Sequence, residues 1–144
     1  MKLRSGESWM AAEDYGRTLP VFSVNLLSAD LERSARFYAD VLEARIVYRD
    51  PDFIALELAG VAFMVHADHA YEHHPWSARL AREKTGRGLG AEIRVMGLDP
   101  DAIEARARQR GATVLQPSQD MPHGWRDTIV CDPEGYAWAV GRKI

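Results

Sequence analysis

"PVFSVNLLSADLERSARFYADVL", residues 20 to 42, joins two hydrophobic periods end to end, and that join decides the fold. Up to residue 27 the side chains alternate. Phe22, Val24 and Leu26 fall on one face and Ser23, Asn25 and Leu27 on the other, the pattern of a half-buried strand. From Ser28 the spacing becomes helical, with Leu31, Ala35, Tyr38, Val41 and Leu42 on one side. Asp30 stands where its carboxylate can accept from the free amides at the helix start. "ARIVYRD", "FIALELAG" and "VAFMVHAD" follow as three more strands, parted by turns at Asp50-Pro51-Asp52 and Ala59-Gly60.

The same order returns in the second half. "LGAEIRVMGL" reads as a strand. "DPDAIEARARQRG" reads as a helix with Asp99 as N-cap, Pro100 at the first helical position and Gly111 just past the end. Glu104 and Arg108 stand four apart as an exposed pair. "ATVLQP", "DTIVC" and "GYAWAV" are strands, the last two joined by the tight-turn sequence "DPEG". "EARIV" and "GATVL", each just after a helix, mark the internal repeat. The expected fold is α+β: two βαβββ modules whose curled mixed sheets surround a cup, with the helices on the outer face. The expected organisation is an N-terminal arm over 1–18, a first module over 19–66, a connector over 67–87 and a second module over 88–144. The arm is polar, with Trp9, Met10 and Tyr15 as isolated large side chains. It reads as a loosely held segment, or as a short element docked on a partner subunit.

The chain has 144 residues, 47% hydrophobic and 27% charged, the composition of an ordinary globular domain. A net charge of -3 without a basic stripe argues against nucleic acid as a partner. No segment has the apolar length of a membrane span or a signal peptide, and the single Cys131 excludes an internal disulfide. A cytoplasmic protein is expected.

Strand parity sorts the polar residues. If Phe63 and Val65 face the helix layer, Met64 and His66 face the cup. Asn25 and Ser23 then point inward from the first strand, and Gly90, Glu92 and Arg94 from the fifth. Ala137 and Ala139 line the cup beside core-facing Trp138 and Val140. For His66, Asn25, Glu92 and Arg94 three readings compete: a satisfied polar network, a ligand-binding set with Met64, Trp76 and Trp125, and acid–base catalysis by His66 or Glu92.

"HADHAYEHHPW", residues 66 to 76, gathers four histidines, an aspartate and a glutamate. His69 and His73 would share one helical face, but Pro75 breaks the segment and no third ligand is defined. A polar connector is therefore expected rather than a metal centre, and His74 is not expected to be a ligand either. "TGRGLG", residues 85 to 90, lacks the lysine of a phosphate loop and leads into a strand rather than a helix. Cys131 has no cationic neighbour in sequence to activate it.

"VNLLSADLERSARFYADVL" and "MPHGWRDTIVCDPEGYAWAV" resemble the first strand–helix and the closing hairpin of the vicinal oxygen chelate superfamily, which includes glyoxalases, bleomycin-resistance proteins and extradiol dioxygenases. The resemblance runs from about Leu19 to Gly141. It implies a paired βαβββ fold, a ligand cup and a homodimer. The superfamily's metal-ligand positions fall on Ser23, Gly90 and Ala139, with a fourth near Met64 or Val65. Glycine and alanine carry no donor, so neither a metal nor any other cofactor is expected. Arg126 matches an arginine of the closing loop, which meets an anion or braces the hairpin. The expectation is a metal-independent binding protein of the bleomycin-resistance kind for a small molecule, with Asn25, Met64, His66, Glu92, Arg94, Trp76, Trp125 and Arg126 as ligand-binding candidates. The alternative is a lyase, isomerase or dioxygenase-like enzyme of the same superfamily.

Overall fold

The computed structural model describes residues 1–82 and 86–144. Glu83, Lys84 and Thr85, the last of which opens the glycine-rich "TGRGLG", lie outside the described residues. The arm carries a helix, α1 (Ala12–Thr18). The first module follows as β1 (Asn25–Ser28), α2 (Leu31–Asp40), β2 (Arg45–Arg49), β3 (Phe53–Leu58) and β4 (Val61–Ala67). A 3₁₀ turn (Asp68–Tyr71) and a short helix, α3 (Ser77–Leu80), occupy the connector. The second module is β5 (Glu92–Met96), α4 (Pro100–Gln109), β6 (Val114–Asp120), β7 (Trp125–Cys131) and β8 (Ala137–Lys143).

Both modules have one topology. The sheets run β1-β4-β3-β2 and β5-β8-β7-β6, with β1·β4 and β5·β8 parallel and the other neighbours antiparallel. Neither sheet closes on itself, so the architecture is α+β with two curled mixed sheets, as the repeat implied. The helices start where their caps dictate. The Asp30 carboxylate accepts from Arg33 N at 3.0 Å, and that of Asp99 from Asp101 N at 3.1 Å with Pro100 inside the first turn. Past α4, Gly111 adopts φ +72°, a left-handed conformation that glycine takes without strain. β1 is shorter than the alternation suggests. It begins at Asn25 and leaves Val21 and Phe22 exposed, because strand pairing to β4 starts only there.

The core lies where the modules meet. Tyr38 of α2, Phe63 of β4 and Trp138 of β8 form an aromatic group with ring centroids 5.3 to 5.5 Å apart in tilted and edge-on contacts. Ile103 and Ala107 of α4 belong to the same cluster as Val41 and Leu42. The Tyr38 hydroxyl donates to the buried Asp132 carboxylate, and Arg106 Nε donates to Val41 O at 3.0 Å, so both helices are tied to the opposite module. A second tie comes from the connector. Arg87 donates to both Asp68 oxygens at 2.8 and 2.6 Å and to Leu27 O at 3.0 Å, and lies 3.4 Å from Glu134.

The arm is not loosely held. Leu3 N and Arg4 N donate to the Asp52 carboxylate at 2.6 and 3.1 Å, Trp9 stacks on Tyr48 (4.7 Å, 8°), and Tyr15 meets Phe53 edge-on at 5.6 Å. It docks on its own first module, on the sheet face that α2 does not cover.

The aromatic centre makes a direct test possible. Trp138→Ala should cost about 3–5 kcal/mol in urea unfolding, the range for emptying a large aromatic site. Tyr38→Phe should cost about 1–3 kcal/mol, because one oxygen of buried Asp132 loses its hydroxyl donor while the other keeps the amides of Glu134 and Tyr136. A Tyr38→Phe protein as stable as the parent would show that this bond does not join the modules.

Candidate functional site

The strand pairings fix which side chains share a face. Asn25 lies beside Met64 and Leu27 beside His66, while Phe53 is opposite His66 and Ala55 opposite Met64. The intervening residues Leu26, Phe63 and Val65 enter the core. Asn25, Met64 and His66 therefore stand together on the helix-free face of the first sheet, where alternation had put them.

His66 sits at the centre of a polar and aromatic set. Its Nδ1 lies 2.7 Å from Asn25 Oδ1, and Asn25 Nδ2 donates to the Tyr71 hydroxyl at 2.8 Å. The imidazole stacks on Phe53 (5.2 Å, 19°) and meets Tyr71 edge-on at 5.0 Å. Tyr71 in turn stacks with Trp76 at 6.1 Å, which brings the connector tryptophan to the same wall. Burial among these rings opposes a positive charge and lowers the His66 pKa to about 4 from an ordinary 6.5. Nearby Lys2 acts in the same direction, while Asp50 and Asp52 oppose it. At neutral pH the ring is uncharged.

Met64 and His66 line a cavity of about 820 Å³ between this sheet, the arm and the connector, together with Trp9, Tyr15, Phe53 and Tyr71. Asn25 and Trp76 line an adjoining cleft of about 490 Å³ with Leu27, Arg87 and Tyr136. Glu92, Arg94 and Trp125 line neither. They stand on the second sheet as a separate cluster. Arg94 donates to Glu92 at 2.6 Å, lies 3.2 Å from buried Asp127 and 3.1 Å from His123, and its guanidinium rests 4.9 Å over the Trp125 ring. Gln116 completes the cluster by donating to Asp127 at 2.8 Å. This is the satisfied polar network among the three readings, although Arg94 and Glu92 remain about 40% exposed rather than buried.

Two candidates change place. Trp125 opens β7 and lies under the Arg94 guanidinium rather than beside Met64 and Trp76. Arg126 spends its guanidinium on Asp101 of α4, at 2.6 and 2.9 Å, and on Asp120 at 3.1 Å, so it braces β7 against helix and hairpin. Of the two roles open to Arg126, the brace is the one that these contacts form.

The connector histidines separate. His69 Nε2 lies 2.9 Å from Asp52, His73 stands 3.3 Å from Glu72 on the surface, and His74 packs on Tyr71 and Trp76. Among the described residues no three or more His, Cys, Asp or Glu side chains are placed to share a metal ion. Cys131 is a free, half-buried thiol whose pKa is raised by burial and by neighbouring Asp132.

The superfamily's metal positions can be tested against this geometry. Gly90 lies in the turn before β5, with φ +84°. Ser23 precedes the α2 cap Asp30 by seven residues, and the residue seven before the α4 cap Asp99 is Glu92. The repeat therefore assigns the second-module counterpart to Glu92, a correction to Gly90. The resulting set is one hydroxyl (Ser23), one thioether (Met64), one carboxylate already held by Arg94, and Ala139 with no donor. A divalent ion needs about three deprotonated N, O or S ligands. These residues do not fit one.

Several residues of the site carried no sequence signal as a set. Tyr71 lay inside the histidine-rich stretch, and Trp9 and Tyr15 stood alone in a polar arm. Their isolated large side chains were the one available hint.

A family model described as a glyoxalase-like domain matches residues 23–141. Among solved structures, the chain is similar to a glyoxalase-related enzyme from Fulvimarina pelagi (23% identity over 86% of this chain and 88% of that one, TM-score 0.68). It is similar to a glyoxalase/bleomycin resistance protein/dioxygenase from Nocardioides (24% identity, 92% of each chain, TM-score 0.66). A third is TioX from Micromonospora sp. ML1 (27% identity, 85% of this chain and 97% of that one, TM-score 0.64). No curated protein matches the sequence.

The state of His66 is directly measurable. Its ring resonances should titrate with a midpoint near 4, and a midpoint near 6.5 would mean a solvated imidazole. Because the folded-state pKa is depressed, the neutral ring's contribution to stability is fully present above about 6.5. It is lost as pH falls from there towards 4. The stability of His66→Gln should accordingly fall less steeply than that of the parent over this interval.

Proposed function

This chain belongs to the glyoxalase-like domain family of the vicinal oxygen chelate superfamily, and from that premise we propose that it binds a small planar molecule without using a metal. One observation carries the reading: the 820 Å³ cavity on the first sheet, walled by Trp9, Tyr15, Phe53, Tyr71 and Met64 around an uncharged His66. A concave, mainly apolar space with a few fixed polar groups is the usual form of a ligand site. Flat aromatic walls favour flat ligands through stacking. Asn25 orients His66, and Trp76 backs Tyr71, so both act as supports at the cavity's edge.

The enzyme alternative, a lyase, isomerase or dioxygenase-like protein with His66 or Glu92 moving a proton, has less support. A histidine with a pKa near 4 is a feeble base at neutral pH. Glu92 is engaged by Arg94 on the other sheet. A homodimer and a cytoplasmic location belong to the same proposal. The exposed Val21 and Phe22 beside β1 offer apolar surface for a second copy. No helix among the described residues is long and apolar enough to cross a membrane.

Purified protein should contain far less than one divalent ion per chain by elemental analysis. About one equivalent of nickel, zinc, iron or manganese, lost in His66→Ala, would return the enzyme reading. In a thermal-shift screen of planar aromatic antibiotics and metabolites, a ligand at 100 times its Kd should stabilise by about 2.7 kcal/mol. Sedimentation at micromolar concentration should give twice the chain mass.

A further inference from the structure

His66 lines the 820 Å³ cavity with one ring nitrogen engaged and the other free. Asn25 commits its Nδ2 to the Tyr71 hydroxyl at 2.8 Å and so turns Oδ1 to the imidazole, 2.7 Å from Nδ1. An amide oxygen only accepts, so the proton of the uncharged ring sits on Nδ1. Nε2 is left as a bare lone pair. It forms no hydrogen bond among the described residues, yet it is not sealed from solvent as the unpartnered Arg4 Nε and Tyr15 Oη are. The cavity's own histidine presents an acceptor that a ligand can reach.

The charged groups that line the same cavity are paired, with one exception. The Met1 ammonium meets Glu72, which also faces His73. Arg4 faces Asp50, whose carboxylate also accepts from the Tyr48 hydroxyl and the Asp52 and Phe53 amides. Asp52 is held by the Leu3 and Arg4 amides and by His69. Lys2 lines the cavity too, and its charge acts on His66, but it forms no ion pair among the described residues.

We infer that the ligand is a planar aromatic acid whose ring donates a hydrogen bond to His66 Nε2 and whose anionic group meets Lys2. The inference rests on the cavity being the binding site, and its content is the ligand's class. A ring offering only lone pairs would set acceptor against acceptor at Nε2 and leave it dry and unpaired. Burial keeps the imidazole uncharged at neutral pH, so the lone pair stays available. Phe53 stacks on the imidazole and Tyr71 meets it edge-on, so a donor that reaches Nε2 brings its own ring against theirs. Asp50 and Asp52 are buried and already held, which leaves Lys2 as the cation open to an incoming anion. Lys2 is exposed, so its pull is that of a surface ion pair and smaller than the contact at Nε2.

The test titrates the full chain at neutral pH with indole, with benzothiophene, which has the same outline and no N–H, and with indole-5-carboxylate. The indole-to-benzothiophene affinity ratio should fall about tenfold in His66→Phe, which keeps a ring and removes the acceptor. In the parent, indole-5-carboxylate should bind at least as tightly as indole, and that ratio should fall about threefold in Lys2→Gln. Either ratio unchanged by its substitution, or a carboxylate weaker than indole in the parent, would overturn the inference and leave the aromatic cavity standing. Failure of all three probes to bind would remove the cavity reading as well. Nitrogen resonances of the parent decide the donor contact even if His66→Phe does not fold. They should show Nε2 unprotonated, and its signal should move upfield with indole but not with benzothiophene. A protonated Nε2, or the same response to both probes, would overturn the inference.

Discussion

Tyr38, Phe63 and Trp138 meet at the junction of two similar modules, and the rest of the molecule depends on that contact. One ring comes from α2, one from the fourth strand and one from the last, so neither module can complete its core alone. The Tyr38 hydroxyl on buried Asp132 adds a directional bond to a contact that is otherwise non-directional. Each sheet commits one face to this shared interior. Its other face then carries every polar residue that alternation has excluded from the core, and all the candidate chemistry resides there.

The two modules use those free faces differently. On the first, aromatic rings surround an imidazole kept neutral by burial, and the arm closes over it. On the second, Glu92, Arg94, Asp127 and His123 satisfy one another at a partly exposed surface. A duplicated scaffold has thus diverged through a few inward positions. Asn25 and Arg94 occupy equivalent places, each beside an inward residue of the parallel neighbour, Met64 in one case and Ala139 in the other. The same equivalence pairs Ser23 with Glu92, so the positions matching the superfamily's metal ligands hold a hydroxyl, a carboxylate engaged by Arg94 and, at Ala139, no donor.

Much of this was legible in advance because strand parity is local. A period of two needs only neighbouring residues to declare itself, so Met64 and His66 could be set on one face and Phe63 and Val65 on the other. Helix caps are equally local: Asp30, Asp99, Pro100 and Gly111 announce their roles within four residues. Arg126 was harder. Whether a guanidinium meets a ligand or a carboxylate depends on where Asp101 of a distant helix comes to lie, and nothing near residue 126 records that. The arm was hardest, since Trp9 and Tyr15 have no periodic neighbours, and their packing onto Tyr48 and Phe53 spans more than thirty residues of chain.

The sequence by itself determined the repeat, the order of strands and helices and the inward parity. These follow from side-chain chemistry and short-range spacing. Tertiary structure alone decided that His66 is uncharged, that Arg94 is neutralised, that Arg126 is a brace and that the arm walls the cavity. Each of those depends on burial and on partners distant in sequence, and desolvation and hydrogen bonding act across space rather than along the chain.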